Sequence, residues 1–325
     1  MPGVTRTLAV DLGADLVLPT PVMIASGCAG TGRELAGLVD LRKVGAIVSR
    51  SITAEPRRGA PTPRVAESAS GLVWETGLQN PGIESFLAEE LPRLTKSGTR
   101  VVVSIAGSSL EAYVRCTNAL QGAPGVAAIE VQTTEPDDEL ERAVLGVHAD
   151  RLAEIVGACA RMATVPVFAK IPHAPSRVVE LAEAAVRAGA HGVTLMDSPP
   201  ALAIDAARLR PALGAVAGRL SGPALRPVTL RAVFEVSRAL PGVPVIGVGG
   251  VGTGNDAIEM LLAGAWAVQV GTATMIDPAA PVEIAHGIAR YLKSKNLASP
   301  ADVRGRLRVP ASFGVAGGAQ HDAQA

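Results

Sequence analysis

The chain has 325 residues, which is long enough to bury a large hydrophobic core. Its 30 basic residues equal its 30 acidic residues, so there is no electrostatic basis for binding nucleic acid or an anionic membrane. Aromatic residues make up only 2% of the chain, and the three cysteines are widely spaced. These features argue against base stacking and against a disulfide, zinc or iron–sulfur framework, so we expect no metal site.

The N-terminus lacks the charged-then-apolar pattern of a signal peptide, and no apolar run is as long as a membrane span. We therefore expect a cytoplasmic protein. Residues 1–310 are predicted to form a single domain, and the small and polar residues of 311–325 predict a disordered C-terminal tail.

Near the N-terminus, before the alternating strands and helices described next, Thr7–Val10 and Asp15–Leu18 flank a glycine turn and predict a hairpin. Eight short runs rich in Val and Ile then alternate with segments of helical spacing, such as 177–189 and 228–240. Runs that are apolar on both faces are typical of buried parallel strands. The pattern predicts an α/β fold, a (β/α)₈ TIM barrel with the hairpin across its bottom, and the alternative is an open doubly wound sheet. The predicted strands are Val22–Gly27, Ala46–Ser51, Arg100–Ala106, Ala127–Gln132, Val165–Ile171, Gly192–Met196, Val243–Val248 and Ala267–Gly271.

Two long segments, residues 55–80 and 199–222, interrupt the alternation of strands and helices. We predict that both are long loops over the top face of the barrel. Loops of this length in a compact domain usually act as lids or binding loops.

Two glycine-bearing turns follow the last two predicted strands. Val243–Gly250 runs into a glycine pair, Ala267–Thr272 ends in Gly-Thr, and residues 255–264 between them predict a short helix. In a β/α barrel, the loops after strands 7 and 8 bind phosphate through backbone N–H groups and a helix N-terminus. The sequence therefore predicts a phosphorylated cofactor or substrate at these turns.

Three titratable residues follow predicted strands 4 and 5. Lys170 ends an apolar strand, so it is either a cation beside an electron-rich ring or part of a structural salt bridge with a barrel carboxylate such as Glu130. Glu135 is a general base or one of the acidic residues that commonly precede a helix. His173 lies in a loop near the mouth, where a histidine is either catalytic or simply solvated.

Seven motifs resemble class 1 dihydroorotate dehydrogenases, in the same order and from about residue 7 to residue 292. They are ASGCAGTGREL (Ala25–Leu35), GAIVSRSIT (Gly45–Thr53), GLQNPG (Gly77–Gly82), SIAGSS (Ser104–Ser109), LSGPALRP (Leu220–Pro227), GVGGV (Gly247–Val251) and VQVGTA (Val268–Ala273). The resemblance implies a barrel that binds FMN, with the phosphate at the two glycine turns and Lys170 near the N1–C2 region of the flavin. The implied cofactor-binding residues are Ala25, Ser26, Gly27, Gln132, Lys170, Ser221, Gly222, Gly249, Gly250, Gly271 and Thr272.

The substrate half departs from the family pattern. The family's Asn-x-Ser-Cys-Pro-Asn aligns with Gln132–Asp137, so Glu135 stands where the family has its catalytic cysteine. Arg50 replaces a lysine, Trp74 replaces an asparagine, and Asp197-Ser198 stands where the family has Asn-Thr. The negative charge of Asp197 is expected to disfavour an anionic pyrimidine carboxylate. Loss of side-chain amides weakens recognition of orotate and predicts a different substrate. The implied substrate-binding residues are Arg50, Trp74, Asn80, Thr134, Asp197 and Ser198.

The residues and the resemblance together predict an FMN-dependent oxidoreductase. It would transfer hydride between the flavin and a C–C bond adjacent to a carbonyl of a small molecule other than dihydroorotate. Glu135 would be the acid/base, with His173 and Thr134 as its partners. The alternatives are a genuine dihydroorotate dehydrogenase, a flavin-dependent non-redox enzyme and a non-catalytic paralogue. The resemblance also implies a homodimer and an electron-transfer partner subunit.

Overall fold

The computed structural model describes residues 5–134 and 145–310. The strands of this part are β1 (Val10–Asp11), β2 (Val17–Leu18), β3 (Val22–Ile24), β4 (Ala46–Val48), β5 (Val65–Ser68), β6 (Gly71–Trp74), β7 (Arg100–Ile105), β8 (Val126–Gln132), β9 (Val167–Lys170), β10 (Gly192–Leu195), β11 (Pro200–Ala201), β12 (Ile204–Asp205), β13 (Arg210–Pro211), β14 (Gly218–Ser221), β15 (Val245–Val248) and β16 (Ala267–Val270). The α-helices are α1 (Arg33–Ala36), α2 (Ile83–Ser85), α3 (Leu91–Lys96), α4 (Leu110–Ala119), α5 (Ala149–Met162), α6 (Val178–Arg187), α7 (Arg226–Ala239), α8 (Gly254–Ala263), α9 (Thr272–Ile276) and α10 (Ala280–Ser294).

Eight parallel strands close into a barrel in the order β3-β4-β7-β8-β9-β10-β15-β16, and β16 pairs with β3. Almost every residue of these strands is buried, because helices cover the outside of the barrel and side chains fill its inside. The closed barrel confirms the predicted (β/α)₈ fold and excludes the open-sheet alternative. Each of the eight predicted runs overlaps one barrel strand, with bounds that differ by one to three residues at an end.

The hairpin of β1 and β2 packs against the bottom of the barrel, as predicted. Val10 pairs with Leu18 in antiparallel register across the turn. Leu12, Leu16 and Leu18 are buried in one cluster with side chains of the barrel interior, among them Phe168. The hairpin therefore closes the amino-terminal end of the barrel with an apolar plug.

The interior becomes polar toward the opposite end. Interior positions along β8 run from Ala128, which joins the apolar plug, through Glu130 to Gln132 at the carboxyl end of the strand. The alternate residues, Ile129 and Val131, belong to the core between strands and helices. This gradient leaves charged and amide side chains at the mouth of the barrel, where the strand-end residues meet.

The two long top-face segments contain strands that the sequence analysis did not predict. Strands β5 and β6 of the first segment and β11 and β14 of the second form one antiparallel sheet, in the order β11-β14-β6-β5. Trp74 pairs with Arg219 in this sheet, although 145 residues separate them in the chain. Hydrogen bonding between the two segments therefore makes one lid of what the sequence presents as two separate loops.

None of the helices described between residues 5 and 310 is long and apolar enough to cross a membrane. The predicted domain boundary at residue 310 and the predicted disorder of 311–325 concern residues at or beyond the end of the described chain, and both stay predictions.

The packing of the hairpin against the barrel interior predicts which of its side chains contribute to stability. Replacing Leu12, which is fully buried, with alanine removes apolar contacts and leaves a cavity. We expect the Leu12→Ala variant to lose about 2–5 kcal/mol of the free energy of unfolding, measured by denaturant titration. The matched control is Val17→Ala in the same hairpin, because Val17 is 39% exposed and is expected to lose well under half as much. Equal losses in the two variants would contradict the plug.

Candidate active site at the carboxyl end of the barrel

A cavity of about 490 Å³ lies at the mouth of the barrel, beneath the lid sheet. Its volume is in the range of small-molecule sites. All eleven residues predicted to bind the cofactor line it, which brings together positions from six parts of the chain. Of the predicted substrate-binding residues, those that line the cavity are Arg50, Trp74, Asp197 and Ser198.

The glycine turns form one end of this cavity. Gly249 and Gly250 have φ values of 125° and 77°, which residues with a Cβ atom rarely adopt. The helix α9 begins at Thr272, and the first N–H groups of a helix have no acceptor within it. A Cβ added at Gly271 would come no closer than 3.7 Å to other protein atoms, so the missing side chain leaves room in the cavity. Backbone groups and space are thus arranged as a phosphate-bearing cofactor requires.

Lys170 extends from the end of β9 and is 7% exposed. Its Nζ lies 3.6 Å from Glu130 Oε1 and 4.0 Å from Asp197 Oδ1. Burial alone would lower the pKa of the Lys170 ammonium, but Glu130 and Asp197 outweigh that effect and hold the pKa above its usual value. Lys170 is therefore a cation that lines the cavity at the mouth of the barrel. It also forms the predicted salt bridge with Glu130, so the two alternatives for this residue are both realised.

Asp197 follows β10 and is also buried, at 7% exposure. Its Oδ2 accepts a hydrogen bond of 2.6 Å from Thr134 Oγ1, and its Oδ1 accepts one of 2.9 Å from the Ser198 N–H. Burial raises the pKa of the Asp197 carboxyl, but Lys170 and then Arg219 counteract it, and the net pKa is below the usual value. Asp197 is thus an ionised acceptor on the cavity wall.

Arg50, on the other side of the cavity, is paired with a carboxylate of its own. Its Nε lies 3.7 Å from Glu90 Oε2. Burial raises the pKa of Glu90, and Arg50 counteracts part of that rise. A carboxylate ligand that approached Arg50 would therefore compete with Glu90 for the guanidinium group.

Three other predicted site residues are described but do not line the cavity. Thr134 donates a hydrogen bond to Asp197, which does line the cavity. The amide of Asn80 donates hydrogen bonds to Thr53 Oγ1 at 2.9 Å, across 27 residues of the chain, and to the nearby Leu78 carbonyl at 2.7 Å. His173 is partly buried, and burial lowers its pKa while the charge of Asp197 opposes that shift. The fourth, Glu135, lies outside the described residues.

Two residues that shape the site are not evident from the sequence motifs. Arg219 donates hydrogen bonds to the Thr134 carbonyl at 3.0 Å and to the Ser198 carbonyl at 3.2 Å, and its Nη1 lies 3.9 Å from Asp197 Oδ2. Glu90, the partner of Arg50, comes from a π-helical segment, Phe86–Glu90. Arg219 lies directly before the LSGPALRP motif, and its position next to this motif was the available signal.

Cys28, which follows the first barrel strand, also lines the cavity. Burial raises the pKa of its thiol to about 11, and Lys170 opposes the shift only in part. The thiol is therefore neutral near pH 7 and packs as a small apolar group.

Comparisons with known proteins agree with this site. The family model for dihydroorotate dehydrogenase matches residues 8–292. A protein of Pelobacter propionicus named "Dihydroorotate dehydrogenase B (NAD(+)), catalytic subunit" is 42% identical over 294 residues, which are 90% of this chain and 96% of that protein. Proteins of the same name from Geotalea daltonii and Desulforudis audaxviator are each 40% identical, over 93% and 87% of this chain and 98% and 92% of their own lengths.

The match covers the barrel, both glycine turns and Lys170, and it extends over nearly the whole length of each relative. The chain belongs to the dihydroorotate dehydrogenase family of flavin-dependent enzymes, and it is an oxidoreductase that acts on CH–CH groups.

Proposed function

We propose that the protein is an FMN-dependent oxidoreductase that moves a hydride between the flavin and a C–C bond next to a carbonyl group. The observation that carries the proposal is one cavity lined both by the two glycine turns and by the buried cation of Lys170. When bound, FMN would supply the hydride chemistry. The turns at Gly249–Gly250 and Gly271–Thr272 would hold its phosphate, and Lys170 would stabilise negative charge on the ring.

Dihydroorotate is the first candidate substrate. The sequence analysis predicted a different substrate, but the names of relatives that are 40–42% identical favour dihydroorotate instead. Trp74 and Leu72 of the lid sheet line the cavity opposite the strand ends, so a flat ring could lie between lid and cofactor. The small polar side chains at the strand ends would then bind the edges of that ring.

A second candidate is a CH–CH substrate without a carboxylate, and Asp197 favours it. An ionised carboxylate only accepts hydrogen bonds, so it selects a ligand that presents an N–H or O–H group. Arg50, the cation that aligns with the family's lysine, is already paired with Glu90. Both features favour a substrate with a donor and no net negative charge.

Glu135 is the proposed acid/base of the reaction. It follows Thr134, whose hydroxyl donates its proton to Asp197 and is therefore committed as a donor. Burial keeps the pKa of His173 low, so His173 is neutral near pH 7 and would be available to accept a proton. The role is given to Glu135 because it aligns with the catalytic cysteine of the family and carries a carboxyl group that can exchange a proton.

The words "catalytic subunit" in the names of the relatives support an electron-transfer partner for this chain. We infer that a second subunit would carry electrons between the flavin and NAD, the acceptor that those names print. A homodimer of the chain stays a prediction.

The substrate is tested by anaerobic titration of the FMN-loaded protein with dihydroorotate, followed at the flavin absorbance of about 450 nm. Bleaching is expected for the first candidate. Persistent colour together with bleaching by an uncharged cyclic CH–CH substrate would favour the second. Failure to load FMN would contradict the proposed function as a whole.

The role of Asp197 is tested by orotate binding. The Asp197→Asn variant removes a negative charge that faces the ligand, so we expect orotate to bind roughly tenfold more tightly, on the order of 1.4 kcal/mol. The dissociation constant is measured from the perturbation of the flavin spectrum. Asp205→Asn, in the exposed hairpin of β12 and β13, is the matched control and should leave orotate binding unchanged. Unchanged affinity in Asp197→Asn would show that this carboxylate does not act on the ligand.

The role of Glu135 is tested by the Glu135→Gln variant, which keeps the shape of the side chain and removes its ability to exchange a proton. We expect turnover to fall about 10²–10⁴-fold, while FMN still binds. Steady-state rates on the substrate identified above provide the measurement. Glu111→Gln at the exposed start of α4 serves as the control. Full turnover by Glu135→Gln would assign the proton transfer to another group.

A further inference from the structure

Glu130 is an acidic side chain buried inside the barrel, and hydrogen bonds hold it there in addition to its ion pair with Lys170. It is 1% exposed and lies one interior layer below Gln132 along β8. A carboxylate so deeply buried is costly unless hydrogen bonds and an opposite charge compensate it. The compensation comes from three other strands of the barrel.

Two neutral side chains fix one oxygen of this carboxylate. Glu130 Oε2 accepts a hydrogen bond of 3.0 Å from Thr194 Oγ1 on β10 and one of 2.7 Å from Gln269 Nε2 on β16. In the closed barrel, β16 lies across from β8, so Gln269 reaches the carboxylate through the barrel interior. The two donors hold the carboxylate in one orientation.

The other oxygen is left for Lys170. Within the described residues, Glu130 Oε1 is buried and accepts no hydrogen bond, and Lys170 is the one cation within 4.0 Å of Glu130. The distance of 3.6 Å to Lys170 Nζ is longer than a hydrogen bond. The pair therefore interacts mainly through its charges, and Lys170 also lines the cavity.

The second carboxylate near Lys170 is in a different situation. Asp197 is also within 4.0 Å of Arg219, so its charge is shared between two cations. Glu130 has no second cation among the described residues, and it therefore balances Lys170 more directly than Asp197 does.

We propose that Glu130 is a positioning residue that sets how much positive charge Lys170 presents to the bound cofactor. The network of Thr194 and Gln269 holds the Glu130 carboxylate beneath Lys170, on the side away from the cavity. Its negative charge offsets part of the ammonium field and thereby lowers the affinity of the site for anionic forms of the flavin. This inference rests on the proposed FMN cofactor.

The test uses the FMN-loaded full-length chain and sulfite as the probe, because sulfite adds to oxidised flavins and places a negative charge on the ring. The Glu130→Gln variant keeps the shape and an acceptor oxygen but removes the charge. We expect sulfite to bind about tenfold more tightly and the two-electron midpoint potential to rise by a corresponding ~30 mV. Neither readout requires turnover.

Two matched variants separate charge from packing. Glu130→Asp keeps the charge and should bind sulfite within about twofold of the native protein, whereas Thr194→Val keeps the charge and loses one hydrogen bond that orients it. We expect Thr194→Val to shift sulfite affinity in the same direction as Glu130→Gln but less. These two variants also serve if Glu130→Gln does not fold.

The outcomes are distinct. Loss of thermal stability in Glu130→Gln with unchanged sulfite affinity and potential would overturn the inference and leave Glu130 a structural residue. Weaker sulfite binding in Glu130→Gln would overturn it as well, because Lys170 would then depend on Glu130 to remain at the cofactor. A native protein that does not load FMN would contradict the proposed function itself.

Discussion

The burial of the Lys170 ammonium is the constraint on which the mouth of this barrel depends. An isolated ammonium group in so dry a place would lose its proton or leave the interior. Four charges solve the problem by alternating in sign across the mouth, in the order Glu130, Lys170, Asp197 and Arg219, with separations of 3.6–4.0 Å. Their sum is zero, so the cation is retained without a net charge in the core.

The rest of the fold keeps this group of charges away from bulk water. Below it, the hairpin around Leu12 seals the barrel with apolar side chains. Above it, the lid sheet contributes Trp74 and also Arg219, the last member of the charge series. The lid therefore has two physical functions: it covers the cavity, and it completes the electrostatics of the strand ends. Charges held in such a low-dielectric space act more strongly on a ligand than the same charges in water.

Local patterns in the sequence predict the part of this design that repeats along the chain. All eight barrel strands and both glycine turns follow from apolar runs and glycine positions, because parallel strands buried on both faces have a distinctive composition. The lid sheet cannot be predicted from local patterns. Its central strands, β6 and β14, pair Trp74 with Arg219 across 145 residues, and neither strand has a strong pattern of its own. The same long-range pairing hides Arg219 as a partner of Asp197. Glu130 was identified as a partner for Lys170, but its hydrogen bonds to Thr194 and Gln269 require the closed order of the strands.

The presence of Arg219 beside Asp197 changes the charge that an anionic substrate would meet. Considered alone, an aspartate in place of an asparagine adds a negative charge and disfavours an anionic pyrimidine carboxylate. In the folded chain, Asp197 lies between Lys170 and Arg219, at 4.0 and 3.9 Å, so part of its charge is compensated before a ligand arrives. Repulsion of an anion is then weaker than the substitution suggests, and dihydroorotate is compatible with the charge of the site. What remains specific to Asp197 is its hydrogen-bonding character, because a carboxylate accepts where an amide both donates and accepts. Discrimination at this position therefore depends on which edge of the substrate carries a donor as well as on the net charge of the substrate.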